Sequence, residues 1–435
     1  MNRFVIVLTT LIFLSTSAVS QAATTQVDSL IKKLIDKGIL TQEEGDQLKG
    51  EVAYDEKTLR EENVKKDTPE WVQNFKLGGD FRGRVQTERR ESGTGASQGE
   101  RVRGRMRTRL NLEAKANDKA KVVIGIATDG GTNSAGNNPR SNNYTFSSNN
   151  SGTPFSKPWV VLNKAYGQYT PNDRLTLTVG KMDNPVWEPM EFLWDSDITP
   201  EGVAAQYLYK LNDKIDLFIL GSVFSLGEFN PSTSDPFMYV GQFGAIVRPS
   251  EKMDIKTVFT YTGYANIKNG FTGGNANNTN GTNTVQTGTT ALLYDYSAPM
   301  GSIEVGLNDP LGDSFPLYIP RVGLFGEYTM NPSPDSKNTA WMTGAYIGNS
   351  KVNGWKTWKA TFAYKSLAKD AWLDIFPDSD FYSGATGVKG KEGILEIGLA
   401  KNMSFALDWY TTRRVGSTVA KAPEHLIQYD FNWKF

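Results

Sequence analysis

The 435-residue chain has no cysteine and one histidine, His425. Disulfides and thiolate chemistry are therefore excluded, as are a His-ligated metal and the usual Ser/His or Cys/His pairing of nucleophile and base. No excess of one charge is present either: 47 Lys and Arg balance 47 Asp and Glu. A global attraction to nucleic acid is thus absent, and whatever the arginines do is local. Beyond residue 22 no apolar run approaches the roughly 20 residues that a membrane-spanning helix needs.

The one compact apolar run is at the start. Arg3 precedes Phe4–Leu14, and Ser20-Gln21-Ala22 then offers a small-residue cleavage site. This order reads as an export signal over residues 1–22, too short in its apolar part to span a bilayer. Residues 23–70 read as a short helical lead-in. Val27, Leu30, Ile31, Leu34 and Ile35 have the spacing of an amphipathic helix with Gly38 to end it, and Thr41-Gln42-Glu43-Glu44 opens a second, charged one.

From residue 71 to 435 the period changes to two. In Arg101–Ala116 the residues Arg101, Arg103, Arg105, Arg107 and Arg109 alternate with Val102, Gly104, Met106, Thr108 and Leu110. At 100° per residue this pattern leaves no apolar helical face, whereas a strand gathers the arginines on one side. Phe75–Gln86 alternates likewise and brings Arg82 and Arg84 to the same side of a hairpin. Further alternating runs follow to the C-terminus. Tight turns such as Asn117-Asp118, Asn212-Asp213 and Lys401-Asn402 exchange with long polar loops, notably 130–158 and 264–289.

Short turns at one end and long loops at the other are the pattern of a transmembrane antiparallel β-barrel. Counting the runs gives 18 strands, with 16 as the alternative if the weak runs 290–297 and 370–376 are loops. The last strand puts His425, Ile427, Tyr429, Phe431, Trp433 and Phe435 on one face and ends on phenylalanine. Such a row of rings on a soluble edge strand would be an aggregation site. In hydrocarbon it is the lipid face, and closure of the sheet satisfies every backbone group. One lipid-facing Arg near the midplane costs roughly 2–4 kcal/mol, so the arginine face must be the lumen face.

Several motifs resemble the putative porin family of Gram-negative outer membranes. They are Phe81-Arg82-Gly83-Arg84, Arg103–Leu110, Gly180–Pro185, Leu193–Gly202, Lys369-Asp370-Ala371 and Asp378–Phe381. The resemblance implies an all-β outer-membrane channel with no reaction and no cofactor. The expected function is passive diffusion of small hydrophilic solutes, and the last strand, with Tyr429, Phe431, Trp433 and Phe435, resembles the C-terminal signal of outer-membrane barrels for the barrel-assembly machinery. The expected surroundings are outer-membrane lipid and those solutes, with no nucleic acid. Porins are usually trimers, so a homotrimer is an expectation that the sequence does not fix. An envelope-anchored structural or adhesive barrel and a solute-specific channel are the alternatives.

Arg82, Arg84, Arg101, Arg103, Arg105, Arg107 and Arg109 are the expected pore-lining residues. Two readings stand side by side: a basic ladder favouring anions, or a wall braced by pairing with Asp80, Glu88 and Glu113. The segment 184–201, rich in Pro and Trp, is the expected constriction loop, carrying Trp194 and placing Asp195, Asp197 and Glu201 opposite the arginines; a cap on the outer rim is the other reading. Two carboxylates, Asp195 and Asp197, do not make a Ca²⁺ site, and no metal is expected.

Overall fold

In the computed structural model the described residues are 73–91, 97–129, 138–147, 154–228, 234–270, 282–312, 318–415 and 423–435, together with residues 31 and 35. Ile31 and Ile35 are both helical. The signal peptide and the rest of the expected lead-in lie outside the described residues.

Among the described residues seventeen strands are present: β1 Phe75–Glu91, β2 Ser97–Asn117, β3 Ala120–Asp129, β4 Tyr144–Thr145, β5 Trp159–Asn172, β6 Leu175–Lys181, β7 Glu201–Asn212, β8 Ile215–Ser225 and β9 Phe237–Ser250. They continue with β10 Met253–Ala265, β11 Ala298–Asn308, β12 Arg321–Met330, β13 Thr339–Gly348, β14 Trp358–Leu367, β15 Val388–Ala400, β16 Met403–Arg414 and β17 Glu424–Lys434. All but β4 form one antiparallel ring, closed by the pairing of β17 with β1. The two-residue β4 lies outside this ring order and pairs with Arg105 and Met106 of β2.

The barrel thus has sixteen strands, the lower of the two expected counts. The runs 290–297 and 370–376 are not strands. Ala371, Trp372 and Leu373 are all fully buried in succession, which a strand facing lipid on alternate residues cannot do. Their apolar side chains serve packing inside the barrel.

At one end the connections 118–119, 173–174, 213–214, 251–252 and 401–402 are two-residue turns. The Asn117, Asn172 and Asn212 side chains each accept a hydrogen bond from the amide two residues on, at 2.9, 3.0 and 2.9 Å, which explains why asparagine recurs there. At this end 309–320 and 349–357 are longer. The opposite end carries eight connections, numbered in chain order L1 to L8. Among them L2 (130–158), L3 (182–200), L5 (266–297) and L7 (368–387) position the site. L3 leaves β6 and joins β7 through paired Gly180 and Gly202. A Cβ at either would lie 2.3 or 2.0 Å from the neighbouring strand's backbone, so only glycine fits.

The strand alternation sorts the faces as expected. On β17 Tyr429 and Phe431 are exposed, while Glu424, Leu426, Gln428 and Asp430 are buried. The seam is sealed by a reciprocal backbone pair, Gly79 N to Phe435 O at 2.9 Å and Phe435 N to Gly79 O at 3.1 Å. Phe81 and Trp433 meet on the outside at 5.5 Å between ring centroids.

Candidate functional site: the arginine wall and the inserted loops

The lumen-facing side of β8–β14 is apolar toward the long-loop end. Leu220, Phe224, Met238, Met300, Phe325, Met342 and Ala363 belong to one buried cluster with Phe192, Leu193 and Trp194 of L3, Tyr296 of L5 and Trp372, Phe376 and Phe381 of L7. Three loops therefore fold into the barrel and bury their apolar side chains against one half of the wall. Trp194 packs on Phe376 at 4.7 Å between centroids.

Backbone groups of these loops satisfy one another, as burial away from water requires. Asp195 N donates to Phe376 O at 2.7 Å, and Asp378 N to Phe192 O at 3.2 Å. Gln242 of β9 holds L3 by a two-way amide pair with Trp187, at 3.1 and 2.9 Å. L5 joins L7 where Asn283 donates to Lys369 O and Trp372 O, and where Tyr296 OH donates to Asp370 at 2.9 Å. L2 joins as well: Arg140 donates to the carbonyls of Asp374, Pro377 and Gly384. In the middle stands Lys365 of β14, fully buried. Its Nζ donates to Glu191 O at 2.5 Å and to Asp378 Oδ2 at 3.2 Å, and pairs with Glu392 of β15.

Facing the loop assembly is the wall of β17, β1 and β2, where the seven expected arginines project inward. Arg84 makes a bidentate pair with Asp430 at 2.7 Å on both sides and reaches Asp380 of L7 at 3.0 Å. Arg82 donates to Asn143 of L2 at 2.6 Å. Arg103 pairs with Glu88 at 2.7 Å. Arg107 and Arg109 share Asp80, at 3.1 and 2.8 Å, and also share Asp197 of L3, at 3.3 and 3.4 Å. Among the described residues Arg105 bonds to the neutral Gln86 and Ser141, at 3.2 and 3.4 Å. Arg101 is exposed, and among the described residues it has no ion pair.

Of the four residues expected on the constriction loop, Asp197 is the one against the arginines. Asp195 turns to L7, where Ser379 N donates to it at 2.8 Å, and Trp194 is packed beneath. Glu201 is the first residue of β7; it shares the outward face with Val203 and pairs with Lys181 at 2.8 Å. The alternation of β7 begins one residue before the loop closes, and that carries Glu201 outside. Of the expected braces Asp80 and Glu88 hold arginines, whereas Glu113 pairs with Lys121. Asp380, Asp430, Arg140 and Lys365 lay beyond sequence reasoning, although Asp378–Phe381 stood among the motifs of the resemblance.

Loop acids divide into two groups. Burial, then Asp197 and Asp378, pushes the Asp195 carboxyl well above the ordinary range, and burial with Asp378 and Asp195 does the same to Glu191. Burial would also raise Asp197 and Asp380. Arg107, Arg82 and Arg109 outweigh it at Asp197, and Arg84, Arg105 and Arg82 do so at Asp380, so both are held low. Raised groups bind their protons more tightly in the packed loops, so their stabilisation is full in acid and fades as pH rises through their folded values. Depressed groups stabilise above about 4, the free carboxylate range, and lose this as pH falls through their folded values. Acidification through the raised folded values should therefore tighten L3 on L7, and pH below roughly 4 should release L3 from the arginines. Conductance titration is expected to show a minimum at mildly acid pH; a monotonic curve would contradict this.

Carboxylates of L3 and L7 thus meet guanidinium groups of the wall in direct ion pairs inside the barrel. A search of the curated proteins finds no match. Among solved structures the chain is similar to the outer-membrane channel DcaP of Acinetobacter baumannii (12% identity, 83% of this chain and 97% of that one, TM-score 0.46). It is similar also to OprB of Pseudomonas putida (12%, 84% and 95%, 0.49) and OpdQ of Pseudomonas aeruginosa (10%, 84% and 99%, 0.45). The sequence profile described as "Putative porin" matches residues 94–298 and 323–435, well over half of the chain. The protein belongs to the putative porin family and is a porin of the outer membrane.

Proposed function

We propose that small hydrophilic solutes pass through the lumen along the arginine wall, and that Arg101 and Arg105 give this path a preference for anions. The supporting observation is the uneven neutralisation of the wall. Arg82, Arg84, Arg103, Arg107 and Arg109 each meet a carboxylate within 3.6 Å, whereas the hydrogen bonds of Arg105 among the described residues go to amide and hydroxyl oxygens. A directly paired guanidinium contributes little net field, so Arg101 and Arg105, which make no direct ion pair among the described residues, contribute most of the basic field that a passing ion meets.

Reversal potentials in a KCl gradient test this. Arg101→Gln with Arg105→Gln should shift selectivity toward cations. Arg103→Gln with Glu88→Gln removes a neutral pair and should leave it near the wild-type value. An unchanged potential in the first variant would remove the anion reading while leaving the channel intact.

The outward aromatic face of β17, with Tyr429, Phe431, Trp433 and terminal Phe435, supports recognition by the barrel-assembly machinery. Membership of a porin family supports a homotrimer, which native mass spectrometry checks.

A further inference from the structure

Outward charge without a partner among the described strand residues is confined to one sector of the wall. On β8 through β14 no outward position of the strand alternation carries a charged side chain. On β6 and β7 the outward Lys181 and Glu201 neutralise each other at 2.8 Å. β15, β16, β17 and β1, by contrast, carry Lys389, Lys391, Arg413, His425 and Arg89 outward. Cross-strand register places them in two adjacent rows at the long-loop end. Lys391 stands opposite Thr411, Thr411 opposite His425 and His425 opposite Arg89, while Lys389 stands directly opposite Arg413 one step nearer the loops.

Lys391, His425 and Arg89 are exposed, and none of the five has an ion pair among the described residues. Like charges directly opposite across a ladder are destabilising unless something neutralises them. The row immediately below is apolar: Phe362, Gly393, Trp409 and Ile427, with the Phe362 and Trp409 rings 6.3 Å apart. Aromatic rings form the girdle at the edge of the hydrocarbon. One residue pair above it is the level of lipid headgroups. The outward acids Glu91 and Glu100 lie to the β1–β2 side, leaving the β15–β16 side wholly basic.

We propose that this sector binds the phosphates of an anionic glycolipid in the surrounding outer leaflet, with Lys389, Lys391 and Arg413 as the principal contacts. The long-loop end of an outer-membrane barrel is extracellular, so these residues meet the outer leaflet. Attraction of Lys and Arg to a charged lipid surface adds with each residue, and here three converge above a ring-lined edge.

The test uses the full-length protein purified in mild detergent, with lipid binding followed by native mass spectrometry. Bisphosphorylated lipid A should bind the wild type. Phosphatase-treated lipid A and inorganic phosphate should bind far less. The variant K389Q/K391Q/R413Q should bind the bisphosphorylated lipid on the order of 100-fold more weakly. Its conductance should remain that of the wild type, because all three side chains lie outside the lumen. Equal binding of both lipids by the wild type, or full retention by the variant, overturns the proposal. So does a change in oligomeric mass with no lipid dependence, which would assign the sector to a second copy of the chain. Should the variant not fold, as judged by heat-modifiable migration, the comparison of the two lipids on the wild type decides alone.

Discussion

Lys365→Met should raise single-channel conductance, make it noisy and lower thermal stability. Lys365 Nζ is fully buried, and it is the cation that holds Asp378 of L7 and Glu392 of β15 while donating to the Glu191 carbonyl of L3. Methionine fills the stem volume but leaves two buried carboxylates facing each other without a cation. Removing one partner of a buried ion pair costs about 3–5 kcal/mol, mostly from the charge left behind. The barrel ladder does not depend on this lysine, so the cost falls on the loops, which can escape by leaving the lumen. Asp195 N to Phe376 O and the Trp194–Phe376 contact would break with them. A triple variant, Lys365→Met with Asp378→Asn and Glu392→Gln, removes the stranded charge and should recover part of the loss. Planar-bilayer recordings and thermal unfolding check both. Wild-type conductance and stability in the single variant would show that the apolar cluster alone retains L3 and L7.

The barrel itself follows from the sequence because lipid imposes a strict period. Outward residues within the hydrocarbon band must be largely apolar, so Arg101–Arg109 and Tyr429–Phe435 declare their faces without knowledge of any partner. Loops that fold inward obey no such period. Ala371, Trp372 and Leu373 are apolar because L3, L5 and the wall surround them, and the same composition in 290–297 and 370–376 mimics a short strand. The ion pairs were equally hidden. Arg84 finds Asp430 only because β17 closes on β1, and Asp380 only because L7 returns to the same wall, partners 346 and 296 residues away. Local pairs such as Arg103 with Glu88 were within reach, since a hairpin brings them together. Glu201 shows the converse error: a sequence window puts it in the loop, and the first backbone pair of β7 with Lys181 turns it out.

Exchanging Arg109 and Leu110, with no change of composition, should abolish most of the heat-modifiable folded form. In β2 Arg109 reaches inward to Asp80 and Asp197. Leu110 points outward beside Leu112, opposite Ile126 of β3, with exposed Leu162 of β5 opposite that in turn. The exchange places a guanidinium in this apolar band at roughly 2–4 kcal/mol. It also removes from Asp80 and Asp197 one of the two arginines they share. Arg107 remains to hold both carboxylates, so the inner loss is partial and the lipid-face cost dominates. Arg109→Leu alone separates the terms: it should fold, with L3 held only through Arg107, and should shift selectivity toward cations because Asp80 and Asp197 gain net charge. Leu110→Arg alone should fold as poorly as the exchange. If Leu110→Arg instead folded like the wild type, the arginine face and the lipid face of β2 would be assigned the wrong way round, and with them the lumen position of all five arginines on that strand.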